Sequence, residues 1–365
     1  MWIVYLALSL SALAVSALLT YAVMKLAPKV GFVDHPSARK VHVTPTPLGG
    51  GLAIAGTMFV VVGGVVAAAL AVNSHPEYDV SPLMRSYAAG VPLIMKHLIV
   101  AAAGALVLIV MGFIDDKRGL RPVVKLSVQA AVGVLLVAGG MSVSLFLPWA
   151  PLGWLVTVAW IVFVTNAFNL LDNMDGLSSG VAVIIGSVFC IVAVETGQLF
   201  VGAFLAVFVA SVLGFMIFNF PPARIFMGDT GSYFLGYVLG VTAISFTFIP
   251  KNMQQADLMP LVLPFILFAI PFYDTLSVIY IRLSEGRHIF DADKRHFSHR
   301  LADLGLNKRE SVLAIYAATL ATSFPALYLH HLNTYSLLGA VAQALLVLLV
   351  VAILEHAGAR KKPNA

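Results

Sequence analysis

Long apolar runs separated by short polar joints organise this chain. Eleven mainly apolar stretches lie near 2–25, 48–72, 97–114, 123–139, 152–166, 177–194, 199–218, 230–249, 259–283, 312–330 and 336–355. Most approach the ~20 residues that a helix needs to cross a ~30 Å hydrocarbon layer. The 152–166 stretch is shorter, so it tilts or starts within 145–149. None of the runs shows the in–out alternation of a barrel strand, and lipid leaves an unpaired backbone unsatisfied, so the runs predict helices. The expected fold is an all-α integral membrane protein: one polytopic domain over 1–365, a bundle of about eleven transmembrane helices.

Composition sharpens this reading. Hydrophobic residues make up 60% of the chain, charged ones 11%, and the mean hydropathy is +0.95, which excludes the soluble classes. The charges that remain are ordered. If the first helix runs from outside to inside, 19 of the 22 Lys and Arg residues fall on inner loops or the tail, leaving Arg85, Lys96 and Lys251 outside. Positive loops stay cytoplasmic, so the N-terminus is expected outside and the polar loops inside. A net charge of +5 then faces anionic headgroups and phosphates. The single cysteine, Cys190, offers neither a disulfide frame nor a thiolate metal site. The first run is long and lacks a basic start, so it is kept as a helix rather than a signal peptide.

The inner loops carry the polar chemistry. The first runs from Asp34-His35-Pro36 through Arg39, Lys40 and His42 to Gly49-Gly50-Gly51; its cations can neutralise phosphate or simply snorkel. In the second, Asp115 and Asp116 stand side by side, and such acids repel unless a cation sits between them or one keeps its proton. Lys125 lies just inside the next run, where a charge needs a partner, a function or a route to the interface. The third, Asn166 to Gly176, puts Asn166, Asn169 and Asp172 or Asn173 on one helical face. That face suits a metal, a base edge or a sugar, with helix capping the plainer role for Asp175. The fourth contains Phe226-Met227-Gly228-Asp229-Thr230-Gly231, where Asp229 can cap a helix or ligate metal. The fifth holds Arg295, His296, His299 and Arg300, closer to a phosphate clamp than to a zinc site. Asp274 is an acid within an apolar run, which marks function or a buried hydrogen bond.

Over nearly its whole length, in the order of these motifs, the chain resembles the polyprenyl-phosphate N-acetylhexosamine-1-phosphate transferases. This family includes initiating enzymes of O-antigen, enterobacterial common antigen and wall teichoic acid synthesis, and the peptidoglycan lipid I synthase. The resemblance implies transfer of a sugar 1-phosphate from a UDP-N-acetylhexosamine to a polyprenyl phosphate, expected to be undecaprenyl phosphate, with release of UMP. It implies Mg²⁺, with Mn²⁺ as an alternative, held by Asp229 with Asn169 as second ligand. Asp115 and Asp116 become the family's aspartate pair, and Lys125 contacts the diphosphate. Phe226 stacks uracil, while Asp172, Asn173 and Asp175 hold the nucleoside. His296, His299, Arg295 and Arg300 face the diphosphate or sugar. Here Phe297 and Ser298 separate two histidines, where family members often carry three. No nucleic-acid partner is expected; a homodimer is.

The Asp-x-Pro-x-x-Arg-Lys-x-His opening favours UDP-GlcNAc, with GalNAc, FucNAc and QuiNAc donors open, because epimers differ by few contacts. Phosphoryl transfer asks mainly for positioning and charge neutralisation. Asp115 or Asp116 can act as base, but a phosphate monoester has a second pKa of ~6 and is already largely ionised, so the pair can instead orient the lipid phosphate or act as nucleophile. Two alternatives are carried forward: a phospho-MurNAc-pentapeptide transferase, and a secondary transporter of anionic solutes, whose polar site would lie near the midplane.

Overall fold

The computed structural model describes residues 2–36, 44–143, 149–246, 259–291, 295–328 and 334–359. Helices dominate: α1 Trp2–Leu26, α2 Gly50–Ser74, α3 Pro82–Arg118, α4 Pro122–Ala138, α5 Ala150–Leu171, α6 Leu177–Glu195, α7 Leu199–Asn219, α8 Gly228–Phe246, α9 Met259–Leu267, α10 Ala269–Ser284, α11 Phe297–Asp303, α12 Lys308–Ser323 and α13 Thr334–Ala359. The all-α, polytopic expectation holds, with one small exception. Val33–Asp34 and Thr46–Pro47 form a two-stranded antiparallel ribbon, β1 and β2, which brackets the first inner loop.

Among the described residues, eight helices are long and apolar enough on their own to cross a membrane. The run expected over 97–114 belongs to a longer rod: α3 has 37 residues, about 55 Å at 1.5 Å per residue. It starts at Ser81, whose side chain accepts from Met84 N, so Arg85 and Lys96 lie within a helix rather than in a loop. The run expected over 259–283 is two helices. Pro271 has no N–H to give Leu267, and Phe268, at φ −88° and ψ 10°, stands between α9 and α10.

The centre of the bundle is α8. Of its 19 residues 15 are buried, and it packs against α5, α3, α2 and α6. Lipid tails are as apolar as leucine, so helix association here rests on close van der Waals packing at small residues. Gly51 of α2 meets Gly231 of α8 backbone to backbone: a Cβ on Gly51 would lie 2.2 Å from Gly231 N. A Cβ on Gly112 of α3 would lie 2.5 Å from Thr230 Cα. These contacts fix the start of α8 against two neighbours. The outer helices α1 and α13 expose most of their apolar surface, as lipid-facing helices do.

Candidate active site

The start of α8 is assembled from three directions. Phe226 N donates to Pro47 O over 2.9 Å, while Gly50 N and Gly51 N donate to Phe226 O and Met227 O over 3.0 and 2.9 Å. The turn before α8 is thus bonded to β2 and to the start of α2. The helix has its cap supplied from α3: Asp116 Oδ1 accepts from Asp229 N over 2.7 Å, and Oδ2 from Thr230 N and Thr230 Oγ1 over 3.1 and 2.7 Å. A carboxylate there satisfies orphan amides and the positive end of the helix dipole. Gly228 stands in the left-handed region, with φ 76°, and a Cβ on it would lie 2.7 Å from Asp116 Oδ2.

Asp229, held by that cap, faces Asp115. Asp115 is buried; its Oδ2 lies 2.6 Å from Lys125 Nζ and accepts from the Tyr233 hydroxyl over 3.0 Å, while its Oδ1 accepts from Leu120 N over 2.7 Å. The Asp115 and Asp229 side chains are within hydrogen-bonding reach of each other. From α5, Asn169 Nδ2 donates to Asp229 Oδ1 over 2.7 Å and to Ser232 Oγ over 3.0 Å. Asp172 follows at the end of α5. Burial, then the charges of Asp229, Asp116 and Asp175, hold its carboxyl well above the usual range. Among the described residues, Asp115 holds the Lys125 ammonium, and Asp116, Asp172 and Asp229 add their charges to the same cluster. Two like charges 4 Å apart repel by about 4 kcal/mol at an effective dielectric of ~20, so the cluster needs protons or a further cation.

The other polar residues frame this cluster. Asn166 Nδ2 donates to Gln129 Oε1 of α4 and to Val162 O. Asn173 Nδ2 donates to Leu170 O, and its Oδ1 accepts from Ser298 Oγ, which ties the fifth inner loop to the third. Asp175 Oδ2 accepts from Ala223 N over 3.0 Å, so it holds the α7–α8 turn rather than capping α6. Phe226 is half-buried beside that turn, and His299 is half-buried on α11. His296 is buried, with Nδ1 3.0 Å from Asp274 Oδ2; Asp274 Oδ1 accepts from Phe297 N over 2.6 Å. Asp274 thus holds a histidine and starts α11.

Comparison with known proteins decides the family. The sequence profile of Glycosyl transferase family 4 matches residues 98–247, from the second half of α3 to the end of α8 and one residue beyond. The chain is 36% identical over 320 residues to a Bacillus subtilis (strain 168) protein named probable undecaprenyl-phosphate N-acetylglucosaminyl 1-phosphate transferase, covering 86% of this chain and 81% of that one. It is 34% identical over 331 residues to the decaprenyl-phosphate N-acetylglucosaminephosphotransferase of Mycobacterium tuberculosis (strain CDC 1551 / Oshkosh), covering 82% and 77%. Against the undecaprenyl-phosphate alpha-N-acetylglucosaminyl 1-phosphate transferase of Escherichia coli (strain K12) it is 28% identical over 327 residues, covering 86% and 80%. The chain belongs to glycosyl transferase family 4.

In this family 4 chain the structure brings together most residues singled out from sequence. Asp115, Lys125, Asn169, Asp172 and Asp229 converge; Asn166, Asn173, Asp175 and Phe226 surround them. Asp116 is placed differently from its neighbour, with its oxygens committed to the α8 backbone. Arg295 and Arg300, expected to face phosphate, are drawn to carboxylates instead. Arg295 Nη2 lies 2.9 Å from Glu285 Oε1, and Arg300 Nε 2.9 Å from Glu355 Oε1. Arg39, Lys40 and His42 lie outside the described residues. Sequence reading passed over Tyr233 and Gln129. Tyr233 stands one turn after Asp229 and Gln129 one turn after Lys125, and this i, i+4 spacing was the signal.

Among the described residues, no three His, Cys, Asp or Glu side chains form a ready metal cage. That suits Mg²⁺, which is usually held by one or two carboxylates and completes its shell with water and substrate phosphate. The donor set fits: hard oxygens on Asp229 and Asp115, an excess of negative charge, and no thiolate. Asn169 turns its amide nitrogen, a donor and not a metal ligand, toward Asp229. Its place as a second ligand therefore requires the amide to rotate.

Proposed function

We propose that this chain transfers GlcNAc 1-phosphate from UDP-GlcNAc to a polyprenyl phosphate, with Mg²⁺ at Asp229, and so starts a cell-envelope polysaccharide. The observation that carries this is the cluster of Asp115, Asp172 and Asp229 around Lys125 at one end of the bundle, fixed in place by Asp116 and the glycine contacts of α8. The relatives' names supply the sugar and the lipid class. The donor is what the family resemblance implies; the excess of carboxylates supports the metal, and the basic inner loops support the cytoplasmic face of a bacterial inner membrane.

In the reaction, an oxygen of the lipid phosphate attacks the β-phosphorus of UDP-GlcNAc. A new P–O bond forms, the bond to the bridging oxygen breaks, and UMP leaves with that oxygen and its electron pair. Mg²⁺ bound at Asp229 would neutralise diphosphate oxygens and the charge that builds on the departing UMP. Lys125, anchored on Asp115, presents an ammonium for the phosphates of either substrate. Asp115 accepts from Lys125, Tyr233 and Leu120 N at once, which supports an orienting role over that of a nucleophile. Since the lipid phosphate is already largely ionised at neutral pH, little general-base help is needed. His296, set by Asp274, brings its Nε2 side to the diphosphate or sugar.

The rival readings gain little. The relatives carry N-acetylglucosamine in their names rather than a muramyl pentapeptide. A transporter would place its polar site near mid-membrane, yet the one intramembrane acid noted from sequence, Asp274, is spent on His296 and the start of α11.

The test is UMP release by the purified protein with undecaprenyl phosphate and UDP-GlcNAc, with Mg²⁺ or with EDTA, and mass analysis of the extracted lipid. Metal-dependent UMP and a GlcNAc diphospholipid are expected. A folded protein that turns over no UDP-N-acetylhexosamine, and instead accumulates an intact solute in vesicles, would overturn the reading.

A further inference from the structure

Helix α13 is mostly lipid-facing, with Ile353 and Leu354 exposed beside Glu355. An acid on such a helix is costly unless it is partnered. The Glu355 side chain is only 12% exposed, and that of its partner Arg300 15%. Glu355 Oε1 lies 2.9 Å from Arg300 Nε, and Glu355 Oε2 accepts from the Tyr273 hydroxyl over 2.6 Å. Arg300 then closes the segment that carries the histidine. Its Nη1 donates to Arg295 O, its backbone N donates to His296 O over 3.0 Å, and its Nη2 donates to Ser277 Oγ over 2.8 Å. Tyr273 packs edge-on against Phe297, with ring centroids 5.6 Å apart, and directly precedes Asp274, the residue that holds His296.

We propose that Glu355 is a positioning residue: through Arg300 and Tyr273, helix α13 fixes residues 295–300 and so sets His296 against the site. The role of His296 in turnover rests on the function proposed above; the clamp itself rests on the geometry alone. A carboxylate at this place orders the loop from outside the catalytic cluster. Arg300 is thereby a strut, its guanidinium shared among Glu355, Ser277 and the Arg295 carbonyl.

Two measurements separate the clamp from the chemistry. In Glu355→Gln, amide hydrogen exchange over 297–303 is expected to rise about tenfold while the α5 and α8 segments hold. kcat should fall about tenfold, as for a misplaced catalytic group, with KM for UDP-GlcNAc within about twofold. The double exchange Glu355→Arg with Arg300→Glu should restore protection and most of kcat. Wild-type exchange and kcat in Glu355→Gln, or a folded double exchange that recovers neither, would overturn the proposal. If Glu355→Gln does not fold, the double exchange alone decides. If the wild type itself releases no UMP, the function reading fails, and the exchange arm still decides the clamp.

Discussion

Two acidic regions of this molecule have opposite charge balances. At the start of α8, Asp116, Asp172 and Asp229 gather with Asp115, whose ion-pair partner among the described residues is Lys125. Around the last inner loop, Asp274, Glu285 and Glu355 each have their own basic partner: His296, Arg295 and Arg300. Both regions are rich in hydrogen bonds, so hydrogen bonding alone does not distinguish a site from a scaffold. Uncompensated charge does. The first region holds an excess of carboxylates that a cation and a polyanion together would complete, while in the second each of these carboxylates lies beside a basic side chain and the pairs hold the histidine segment.

The largest expected effect comes from reducing that excess where it matters. Asp229→Asn keeps the backbone N–H that Asp116 accepts, so α8 keeps its cap, but it removes the carboxylate proposed to hold Mg²⁺. Turnover, read as UMP release at saturating substrates, should fall about 10³-fold, the scale of losing a preorganised electrostatic contact, with the unfolding temperature in EDTA unchanged or raised. A loss below tenfold would move the metal away from Asp229. Next comes Lys125→Met, which deepens the deficit: turnover should fall about 10²-fold. Because Asp115 then keeps a buried charge without its cation, the unfolding temperature should fall as well. The same charge removal in the balanced region, Glu285→Gln, should change turnover less than about tenfold, since Arg295 is exposed on its outer side and exposed pairs contribute little.

How far the sequence carries depends on which property marks each part. Apolar runs marked the helices from α1 to α8, because lipid leaves the backbone one solution, although α3 begins well before the run read over 97–114. They could not show that Pro271 splits the ninth run, nor that two-residue strands close the first loop, since such short pairing leaves no periodicity. Asp115, Asn169 and Asp229 were legible as candidates that the fold brings together, because polar groups at the ends of apolar helices are few. The distinct jobs of Asp115 and Asp116 were not: neighbours on a helix point about 100° apart, and only the position of α8 shows which one faces Lys125 and which one caps. Arg300 was read as a phosphate clamp because its partner, Glu355, lies 55 residues away in a run that reads as plain lipid-facing helix.

Gly51 and Asp172 test the frame and the charge of the first region with smaller effects. Gly51→Ala places a methyl 2.2 Å from a backbone nitrogen, and helix backbones cannot yield as a flexible side chain can. A loss of about 1–3 kcal/mol is expected, seen as reduced accumulation of folded protein and a lower unfolding temperature. Normal stability would mean that α2 and α8 are not held in contact there. Asp172→Asn should act in the other direction. The raised pKa of Asp172 means that the folded state binds its proton more tightly than the unfolded chain does. Its contribution to stability is therefore complete at low pH and lost as pH rises from the ordinary carboxylate range through the raised value. Asparagine has no proton to lose, so in EDTA the variant should match the wild type near pH 4 and unfold about 2 °C higher at pH 8. Adding Mg²⁺ should narrow the gap, because a cation in the cluster relieves the same repulsion. A gap that is equal at both pH values would show that Asp172 is ionised without strain, and the excess of negative charge would then rest on Asp115, Asp116 and Asp229 alone.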